Sequence, residues 1–490
     1  MTLSDGKENK RVKLNESCSA QSDRNRSSSL VMKPLSINRM RSNAYVLLVF
    51  VDLDQSGGLV YHETQPTFTH QVFGAEEEIT FLDDPTGSRV VVLVNCFNGA
   101  DHLVVTCGAM SDSEHTTLAS LLKCFLPEGI EFLRSHTGAL PPPPSLLREI
   151  KTVDKVQKWT VPKSSHICPP GTKVGSFEGK AGELYEFWLA SNEDASASAL
   201  LKRCESVATW LIETADGVDF EGDSRWEVLF CTRPLTRANS CFDANFVLAG
   251  YMTLFTFNNP FAGPKIRVCQ VVTLPQYQGK GLGRQMLLEV YKLVHSRALS
   301  EVTVEDPAPG FQRLRDVVDC EVATRHCVAE YKRANGFAED ERLNPLSALW
   351  REMVASIVEC SDAAAVGKAL RITVSQAQFV LHALRFYQVV RPHDPTFVVK
   401  KIVENDSREE EEGDESVGDD EEDEETFSFE ASDEYRALRI AVKRQLLKDN
   451  RELKTLDKPA MQRELDALFG EEELRLRAAY AAVCRQLAKL

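Results

Sequence analysis

The chain has 490 residues, of which 43% are hydrophobic and 27% are charged, and its formal net charge at pH 7 is −16. This length exceeds what one hydrophobic core usually takes up, so two or three domains are expected. The acidity is concentrated in residues 404–430, where sixteen acidic residues and one Arg give −15 and leave −1 for the rest of the chain. A nearly neutral body without a concentrated basic face argues against direct binding of nucleic acid.

Hydropathy and cysteine spacing exclude further classes. Because no run of about 18 apolar residues occurs, a transmembrane helix is not expected, and the N-terminus lacks the apolar core of a secretory signal. The thirteen cysteines are scattered, without a CxxC pair or a Cys/His ligand spacing. This pattern favours a reduced intracellular protein without structural zinc, and it gives no support to metal catalysis.

The first 41 residues are polar and poor in aromatics, which predicts a disordered tail. A short basic cluster in this tail has two interpretations, a solvated tail or a nuclear import signal, of which we favour the first. Its members are Lys7, Lys10, Arg11 and Lys13.

Short β-branched runs then alternate with segments of helical periodicity. Strands are predicted after Tyr45 and at 89–97, 102–110, 246–257, 266–274 and 300–305. Amphipathic helices are predicted at 200–216, about 284–297 and 311–334, the last of them ending before Gly336. This order of strands and helices predicts an α/β arrangement around a central sheet.

The C-terminal third is predicted to be helical on both sides of the acidic run. Residues 346–392 have apolar positions at helical spacing, and residues 432–490 are rich in alternating charges with Gly470 as their single glycine. The acidic run cannot bury a core, so it is expected to be disordered or wrapped on a partner.

The most informative segment is QVVTLPQYQGKGLGR, residues 270–284. Here a strand leads through a glycine-rich turn into a helix that begins near Arg284. Glycines let the backbone approach a bulky anion, and the unpaired N–H groups of the first helical turn point at it. Lys280 and Arg284 would add mobile cations. The segment lacks the GxxxxGK[ST] pattern and the complete GxGxxG spacing, so by itself it fits either a diphosphate site or an ordinary tight turn.

Gln278, Gly281 and Gly283 fit the Gln/Arg-x-x-Gly-x-Gly/Ala signature of the GNAT acetyltransferase superfamily. In that superfamily the loop holds the pyrophosphate of acetyl-coenzyme A. The block TVEDPAPGFQRLRD at 303–316 resembles a block of the type B histone acetyltransferases. Four further segments are similar to that family, and together the matches span roughly residues 45–490 in order; these segments are 68–74, 210–220, 250–257 and 434–447.

The resemblance implies an α+β fold with an N-terminal β-rich domain, a central GNAT domain with a mixed α/β sheet, and a helical C-terminal domain. The expected parts are 1–41 (disordered tail), 42–175 (N-terminal β-rich domain), 176–338 (GNAT domain), 339–400 (helical C-terminal domain), 401–431 (acidic disordered segment) and 432–490 (C-terminal helices).

The resemblance also implies the roles of individual residues. Contacts with acetyl-coenzyme A are expected from Val271, Val272, Thr273, Gln278, Gly279, Lys280, Gly281, Leu282, Gly283, Arg284 and Phe311. A strand that contacts the histone tail is expected to include Phe255, Thr256 and Phe257. The general base corresponds to Glu305, with Glu213 and Asp306 as neighbouring acidic residues. No metal is implied.

The chemistry of amine acetylation independently requires a base. A lysine amine has a pKa of about 10.4, so making it neutral at pH 7 costs about 4–5 kcal/mol. Glu305 closes a predicted strand just before Pro307, where a partly desolvated carboxylate can take a proton. The alternative is a surface acid at a strand end. Strand alternation points Asp306 to the other face, unless a bend at Pro307 changes its direction. Glu213 lies on the predicted helix 200–216, where it could equally be a solvated residue.

No cysteine is placed to act as an acyl-enzyme nucleophile. Cys269 lies beside the predicted cofactor strand, but a buried strand cysteine is usually a packing residue. Direct transfer of the acetyl group in a ternary complex is therefore favoured.

The resemblance implies three partners or locations. They are the tail of newly made core histone four, a WD-repeat β-propeller subunit that presents histones, and a place in nucleus and cytoplasm. The acidic run is then either a solubilising loop or a tether for basic histones. Two other functions stay open, a non-catalytic histone-binding or chaperone module and a GNAT enzyme that acts on other proteins or small amines.

Overall fold

The computed structural model describes residues 41–53, 59–74, 79, 82–83, 87–97, 99–108, 110–126, 130–135, 168–235, 245–260, 263–338, 362–391, 429–487 and 489. The predicted tail, apart from residue 41, and the predicted helical sequence at 346–361 lie outside these residues. The acidic run up to residue 428 lies outside them as well. The predictions for those segments therefore stay predictions.

The N-terminal part contains a five-stranded mixed sheet. Its strands are β1 (Val46–Leu53), β2 (Leu59–Thr64), β3 (Arg89–Asn95), β4 (Asp101–Cys107) and β5 (Glu131–Ser135), in the order β2-β1-β3-β4-β5. β1 is parallel to β3 and β4 is parallel to β5, while the other pairs are antiparallel. The strands predicted after Tyr45 and at 89–97 and 102–110 are confirmed. Six of the seven residues of β3 are buried, which explains its almost continuous apolar sequence.

Three helices accompany this sheet: α1 (Ser42–Tyr45), α2 (His70–Phe73) and α3 (Asp112–Leu122). α3 begins at a capping box, in which the Ser111 side chain accepts from the Glu114 N–H and the Glu114 carboxylate accepts from the Ser111 N–H. These reciprocal bonds satisfy two backbone donors that a helix start would otherwise leave unpaired.

A second, six-stranded sheet carries the predicted cofactor segment. Its strands are β6 (Thr172–Glu178), β7 (Leu184–Ser191), β8 (Trp226–Pro234), β9 (Phe246–Phe257), β10 (Lys265–Thr273) and β11 (Val302–Val304), in the order β11-β10-β9-β8-β7-β6. All neighbours are antiparallel except β10 and β11, which are parallel. Three helices belong to this part: α4 (Ala195–Leu211), α5 (Leu282–Ser296) and α6 (Pro309–Asn335).

These elements confirm the predicted strands and helices with one correction. The helix predicted at 200–216 ends at Leu211, so the prediction that Glu213 lies on it is wrong. The chain leaves the helix because Ile212 is extended and Thr214 is left-handed, with φ of 53°. The apolar positions that indicated the helix also end at Ile212, and the polar residues beyond it belong to a turn.

The described C-terminal residues form four helices: α7 (Ala363–Leu370), α8 (Val374–Val390), α9 (Asp433–Asp449) and α10 (Lys458–Leu487). α7, α8 and α10 pack against α6, whereas α9 packs against α8 and α10. The long helix α10 lies along α6 and α8. Arg475 of α10 forms a short ion pair with the buried Asp316 of α6, with Nε 2.7 Å from Oδ2. The predicted helical C-terminal region is confirmed in its described residues.

The α+β fold class is confirmed, while the predicted domain boundaries stay predictions. The two sheets meet where Phe97 bridges to Val247 and the Leu248 N–H donates to the Cys96 carbonyl at 2.8 Å. Among the described residues, no helix is long and apolar enough to cross a bilayer. The same residues contain no cluster of three or more His, Cys, Asp or Glu side chains able to hold a metal ion.

Candidate active site

The site begins at a fork between β10 and β11. The two strands pair only from Ile266 to Val268, and the Glu305 N–H continues the ladder by donating to the Val268 carbonyl at 2.9 Å. β10 runs on to Thr273, whereas β11 has already ended at Val304. Beyond Val268, β10 is therefore paired on one side only, and the gap beside it is open to a ligand.

Backbone direction decides which residues of β10 face this gap. The Leu274 N–H donates to the Ala249 carbonyl of β9 at 3.0 Å. Because N–H groups alternate in direction along a strand, Val272 also turns to β9, while the N–H groups of Val271 and Thr273 face the gap. The geometry thus brings two of the three predicted β10 residues to the gap. It turns the backbone of Val272 away and buries its side chain.

The glycine-rich loop closes one end of the fork. A short 3₁₀ turn, Pro275–Tyr277, leads to Gln278, and Gly281 caps α5 with φ of 85°. Gly279 has φ of 73°, and both values lie in the left-handed region that favours glycine. No side chain caps α5 and no acidic residue lies in its first turn, so the N–H groups of Leu282, Gly283 and Arg284 remain available to an anion.

At Gly283 a glycine is favoured by close packing and not by a left-handed φ. A Cβ atom at this position would lie 3.3 Å from Cδ1 of Leu314 on α6 and 3.8 Å from Oγ1 of Thr273. The loop, the end of β10 and the start of α6 therefore approach each other most closely at this glycine. Phe311, in the first turn of α6, is half-buried on the same helix as Leu314.

The two cations predicted to be mobile are both paired. Arg284 donates through Nε to Oε2 of the buried Glu321 on α6 at 2.8 Å, and Lys280 lies 3.3 Å from Oε1 of Glu183. The prediction of mobile cations is wrong because carboxylates from neighbouring elements hold both side chains. Their positive charge still lies beside the uncapped end of α5.

Glu305 lies at the other end of the fork, one residue beyond β11. Its carboxylate pairs with Arg267 of β10, with Nη1 3.4 Å from Oε1, and the carboxylate is about half exposed at 48%. The thiol of Cys269 lies against the same carboxylate. Burial and this carboxylate both raise the pKa of the Cys269 thiol, which keeps the thiol protonated and weakly nucleophilic at neutral pH.

Asp306 follows Glu305 directly, whereas Glu213 lies in a separate turn of the chain. Asp306 is exposed and left-handed, with φ of 33°, so the chain bends at Asp306 itself rather than at Pro307. Glu213 is exposed in the turn after α4, and this turn reaches β10 because the Gln270 side chain donates to the Asp216 carbonyl at 2.6 Å. In the described part of the chain, no hydrogen bond or ion pair joins Glu213 to Glu305 or Asp306.

The predicted substrate strand is the end of β9. Phe255 and Phe257 stack edge-on with ring centroids 4.7 Å apart, and Thr256 lies between them with its N–H donated to the Arg225 carbonyl. Arg267 covers the Phe257 ring at 4.4 Å. Arg267 therefore contacts both the predicted substrate strand and the predicted base.

Two family models match the chain in the regions that build this site. Residues 39–213 match Histone acetyl transferase HAT1 N-terminus, and residues 207–313 match the Acetyltransferase (GNAT) family. The second match contains the fork, the glycine-rich loop and Glu305. The chain is thus similar to the type B histone acetyltransferases, and the predicted resemblance is confirmed. Residues 207–313 have the sequence of a GNAT acetyltransferase domain.

Curated relatives carry the name histone acetyltransferase type B catalytic subunit. The chain is 26% identical to the Neurospora crassa protein over 57% of either chain, and 22% identical to the Pyricularia oryzae protein over 88% of this chain and 89% of the relative. It is 28% identical to the Rattus norvegicus protein over 28% of this chain and 33% of the relative. The match to the Neurospora protein thus spans little more than half of that relative.

The acetyltransferase domain has the donor set that acetyl-coenzyme A requires. Uncapped N–H groups and two nearby cations suit a pyrophosphate, and the free N–H groups of Val271 and Thr273 suit an extended amide-bearing chain that lies along β10. The residues present therefore fit this co-substrate.

Sequence reasoning missed Arg267 as a neighbour of Glu305 and treated Cys269 only as packing. The signal was present in the alternation of β10, where every second residue from Lys265 to Thr273 lies on one half-exposed face. Arg267 and Cys269 share that face with Val271 and Thr273. The strand period alone could therefore have predicted that these four residues form a row between Glu305 and the glycine-rich loop.

Proposed function

We propose that the protein is a histone lysine acetyltransferase that transfers the acetyl group of acetyl-coenzyme A directly to a tail lysine, with Glu305 as the general base. The observation that carries this proposal is the fork. It has anion-binding backbone at one end, a carboxylate at the other, and unpaired strand backbone between them. A substrate amine at Glu305 and an acyl group along β10 would then lie side by side.

The residues of the fork have different roles in binding acetyl-coenzyme A. When bound, acetyl-coenzyme A supplies an activated thioester. Residues 278–284 would bind its pyrophosphate, and the N–H groups of Val271 and Thr273 would orient the chain that carries the acetyl group. Phe311 would lie along the cofactor.

Glu305 takes a proton from the substrate ammonium, which makes the amine nucleophilic. Oε1 of Glu305 lies 3.4 Å from Nη1 of Arg267, and the half-exposed carboxylate can accept the substrate ammonium as a further partner. Asp306 and Glu213 add negative charge beside this position and favour a lysine-rich peptide. The raised pKa of the Cys269 thiol supports direct transfer over a covalent acyl-enzyme.

The histone substrate class is proposed from the names of the curated relatives. Phe255, Thr256 and Phe257 would contact the tail beside Glu305. We further propose newly made, non-nucleosomal core histone four as the substrate, a WD-repeat β-propeller subunit as partner, and action in nucleus and cytoplasm. These finer points rest on the family resemblance.

The experiment is acetylation of free histones by purified protein with acetyl-coenzyme A, with the modified lysines mapped by mass spectrometry. Glu305→Gln is expected to lower kcat by about a hundredfold or more, since a positioned general base contributes about 10²–10⁴-fold. Glu301→Gln is the matched control, because Glu301 lies just before β11 and pairs with Lys265 at 3.3 Å, away from the fork. It is expected to keep kcat within about twofold of wild type.

Two outcomes would contradict the proposal in different ways. Full activity of Glu305→Gln would remove Glu305 as the base while leaving an acetyltransferase. An inactive wild-type protein that still binds histones would favour a non-catalytic histone-binding module.

A further inference from the structure

A buried three-residue network links the N-terminal sheet to the cofactor loop. Asp52, near the end of β1, accepts a hydrogen bond from Nη2 of Arg233 on β8 at 2.9 Å and another from the hydroxyl of Tyr277. Arg233 also donates through Nε to the Tyr277 oxygen at 3.3 Å. The three side chains thus form a closed triangle. Asp52 and Tyr277 are almost fully buried, with relative exposures of 4% and 2%.

Tyr277 is the last residue before the loop that begins at Gln278. It ends the 3₁₀ turn, with its N–H donated to the Leu274 carbonyl at 2.8 Å. The preceding Gln276 contacts the N-terminal sheet as well, since its Nε2 lies 3.6 Å from Sγ of Cys96. Two consecutive residues of the turn are therefore held by the neighbouring domain.

The Tyr277 ring also contacts the glycine-rich loop. The amino group of Lys280 lies 5.2 Å from the ring centroid, and Tyr185 of β7 meets the ring edge-on at 6.0 Å. Lys280 in turn reaches Glu183. A continuous chain of contacts therefore runs from Asp52 through Tyr277 to Lys280, in the middle of the glycine-rich loop.

We infer that Asp52 is a positioning residue for acetyl-coenzyme A, through which the N-terminal domain fixes the cofactor loop of the acetyltransferase domain. This inference rests on the proposed function. Asp52 does not itself reach the loop; it fixes the Tyr277 hydroxyl and thereby the ring on which Lys280 lies.

The physical reason is the conformation that the loop must hold. Gly279 and Gly281 are both left-handed, and glycines have many other backbone conformations to visit. A loop that must be ordered upon binding loses affinity, whereas a loop already held in place does not. A hydrogen bond to a charged, buried carboxylate is among the stronger local restraints available to a tyrosine.

The same triangle could act only as an interdomain bond, and the two roles differ in what they change. An interdomain bond affects stability and leaves the binding of a small molecule to the folded protein unaltered. A positioning role changes the affinity for acetyl-coenzyme A and leaves the KM for histone unaltered.

The test uses the full chain with Tyr277→Phe, which removes only the hydroxyl, and with Asp52→Asn, which keeps the volume and removes the charge. The measurements are the Kd of acetyl-coenzyme A by calorimetry, kcat, and the KM of each substrate. Both variants are expected to weaken acetyl-coenzyme A about five- to tenfold, as the loss of one charge-assisted hydrogen bond allows. We expect kcat at saturation and the KM of histone to change less than about twofold, because the base end is untouched.

The chain offers a matched control in a second buried Tyr–Asp–Arg set. The Tyr291 hydroxyl of α5 bonds to Asp319 of α6, which also faces Arg315 at 3.5 Å. Tyr291→Phe removes the same kind of hydroxyl in the middle of α5, away from the loop. It should lower the melting temperature and leave the acetyl-coenzyme A affinity at the wild-type value.

Each result supports or contradicts the positioning role of Asp52. If Tyr277→Phe and Asp52→Asn, folded by circular dichroism, bind acetyl-coenzyme A as tightly as wild type, the inference is wrong and the triangle is an interdomain bond. If Asp52→Asn fails to fold, Tyr277→Phe decides alone. A wild-type protein that binds no acetyl-coenzyme A would overturn the proposed function itself, and that result cannot be confused with equal affinity of wild type and variants.

Discussion

The two ends of the fork are built in opposite ways. The loop end is mainly backbone, with left-handed glycines and uncapped N–H groups. Its two cationic side chains, Arg284 and Lys280, are paired with Glu321 and Glu183. The base end consists of half-exposed side chains, and its central carboxylate, Glu305, pairs with Arg267. In the proposed function, the loop end is preformed, whereas the base end gains a further partner, the substrate amine.

This difference predicts which measured quantity a substitution at each end should change. Substitutions at the loop end should alter the affinity for acetyl-coenzyme A, because they disturb a preformed binding surface. Substitutions at the base end should alter the rate of transfer to histone and leave that affinity alone. A substitution at either end that changes both the affinity for acetyl-coenzyme A and the rate of transfer would contradict this distinction.

Among the variants of Gly281, Asp306 and Cys269, the largest effect is expected from Gly281→Ala. A Cβ at φ of 85° is strained by about 1–2 kcal/mol, so the loop shifts and acetyl-coenzyme A binds about tenfold more weakly. Calorimetric Kd is the readout, with the KM of histone expected at its wild-type value. The matched control is Gly470→Ala in α10, where a Cβ meets nothing within 4 Å; that helix should gain about 0.5–1 kcal/mol and binding should not change. Equal affinity of wild type and Gly281→Ala would contradict the preformed loop.

A smaller effect is expected at the bend beside the base. Asp306→Ala should lower kcat about fivefold, because alanine tolerates a φ of 33° less well than aspartate and the bend that places Glu305 relaxes. Asp306→Asn tolerates the same conformation and should retain more of the rate. Steady-state kinetics with saturating acetyl-coenzyme A separate the two. If Asn and Ala lower kcat equally, the charge of Asp306 matters rather than its backbone.

The smallest effect is expected from Cys269→Ala, which should keep kcat within about threefold of wild type. The raised pKa of this thiol leaves it protonated at neutral pH, so it does not serve as the nucleophile, and its loss removes only a neighbour of Glu305. Cys269→Ser, which retains a donor, is the control and should lie closer to wild type. A thousandfold loss in Cys269→Ala, or an acetyl group trapped on Cys269 in mass spectra, would overturn direct transfer.

The loop end was readable from the sequence because it depends on local order along the chain. A strand, a glycine-rich turn and a helix follow one another in residues 265–296, and the observed elements lie within about two residues of the predicted ones. Glu305 was placed for the same reason, since a strand end is a local feature.

The remaining features depend on long-range contacts that periodicity does not encode. Asp52 and Tyr277 are separated by 225 positions, and Arg267 and Glu305 by 38. Glu213 was misplaced because the apolar positions at helical spacing continue to Ile212, where the backbone is already extended. Lys280 and Arg284 were assumed to be mobile but are paired, because the fold brings Glu183, just before β7, and Glu321 of α6 to the loop.

The most direct test of the fork is calorimetric titration of acetyl-coenzyme A into wild type and Glu305→Gln, together with the rate of histone acetylation by each. We predict equal Kd values, since the loop is untouched, and a rate at least about a hundredfold lower for Glu305→Gln. A Glu305→Gln protein that loses acetyl-coenzyme A binding, or a wild-type protein that produces no binding heat, would contradict the division of the site into a preformed loop and a separate base.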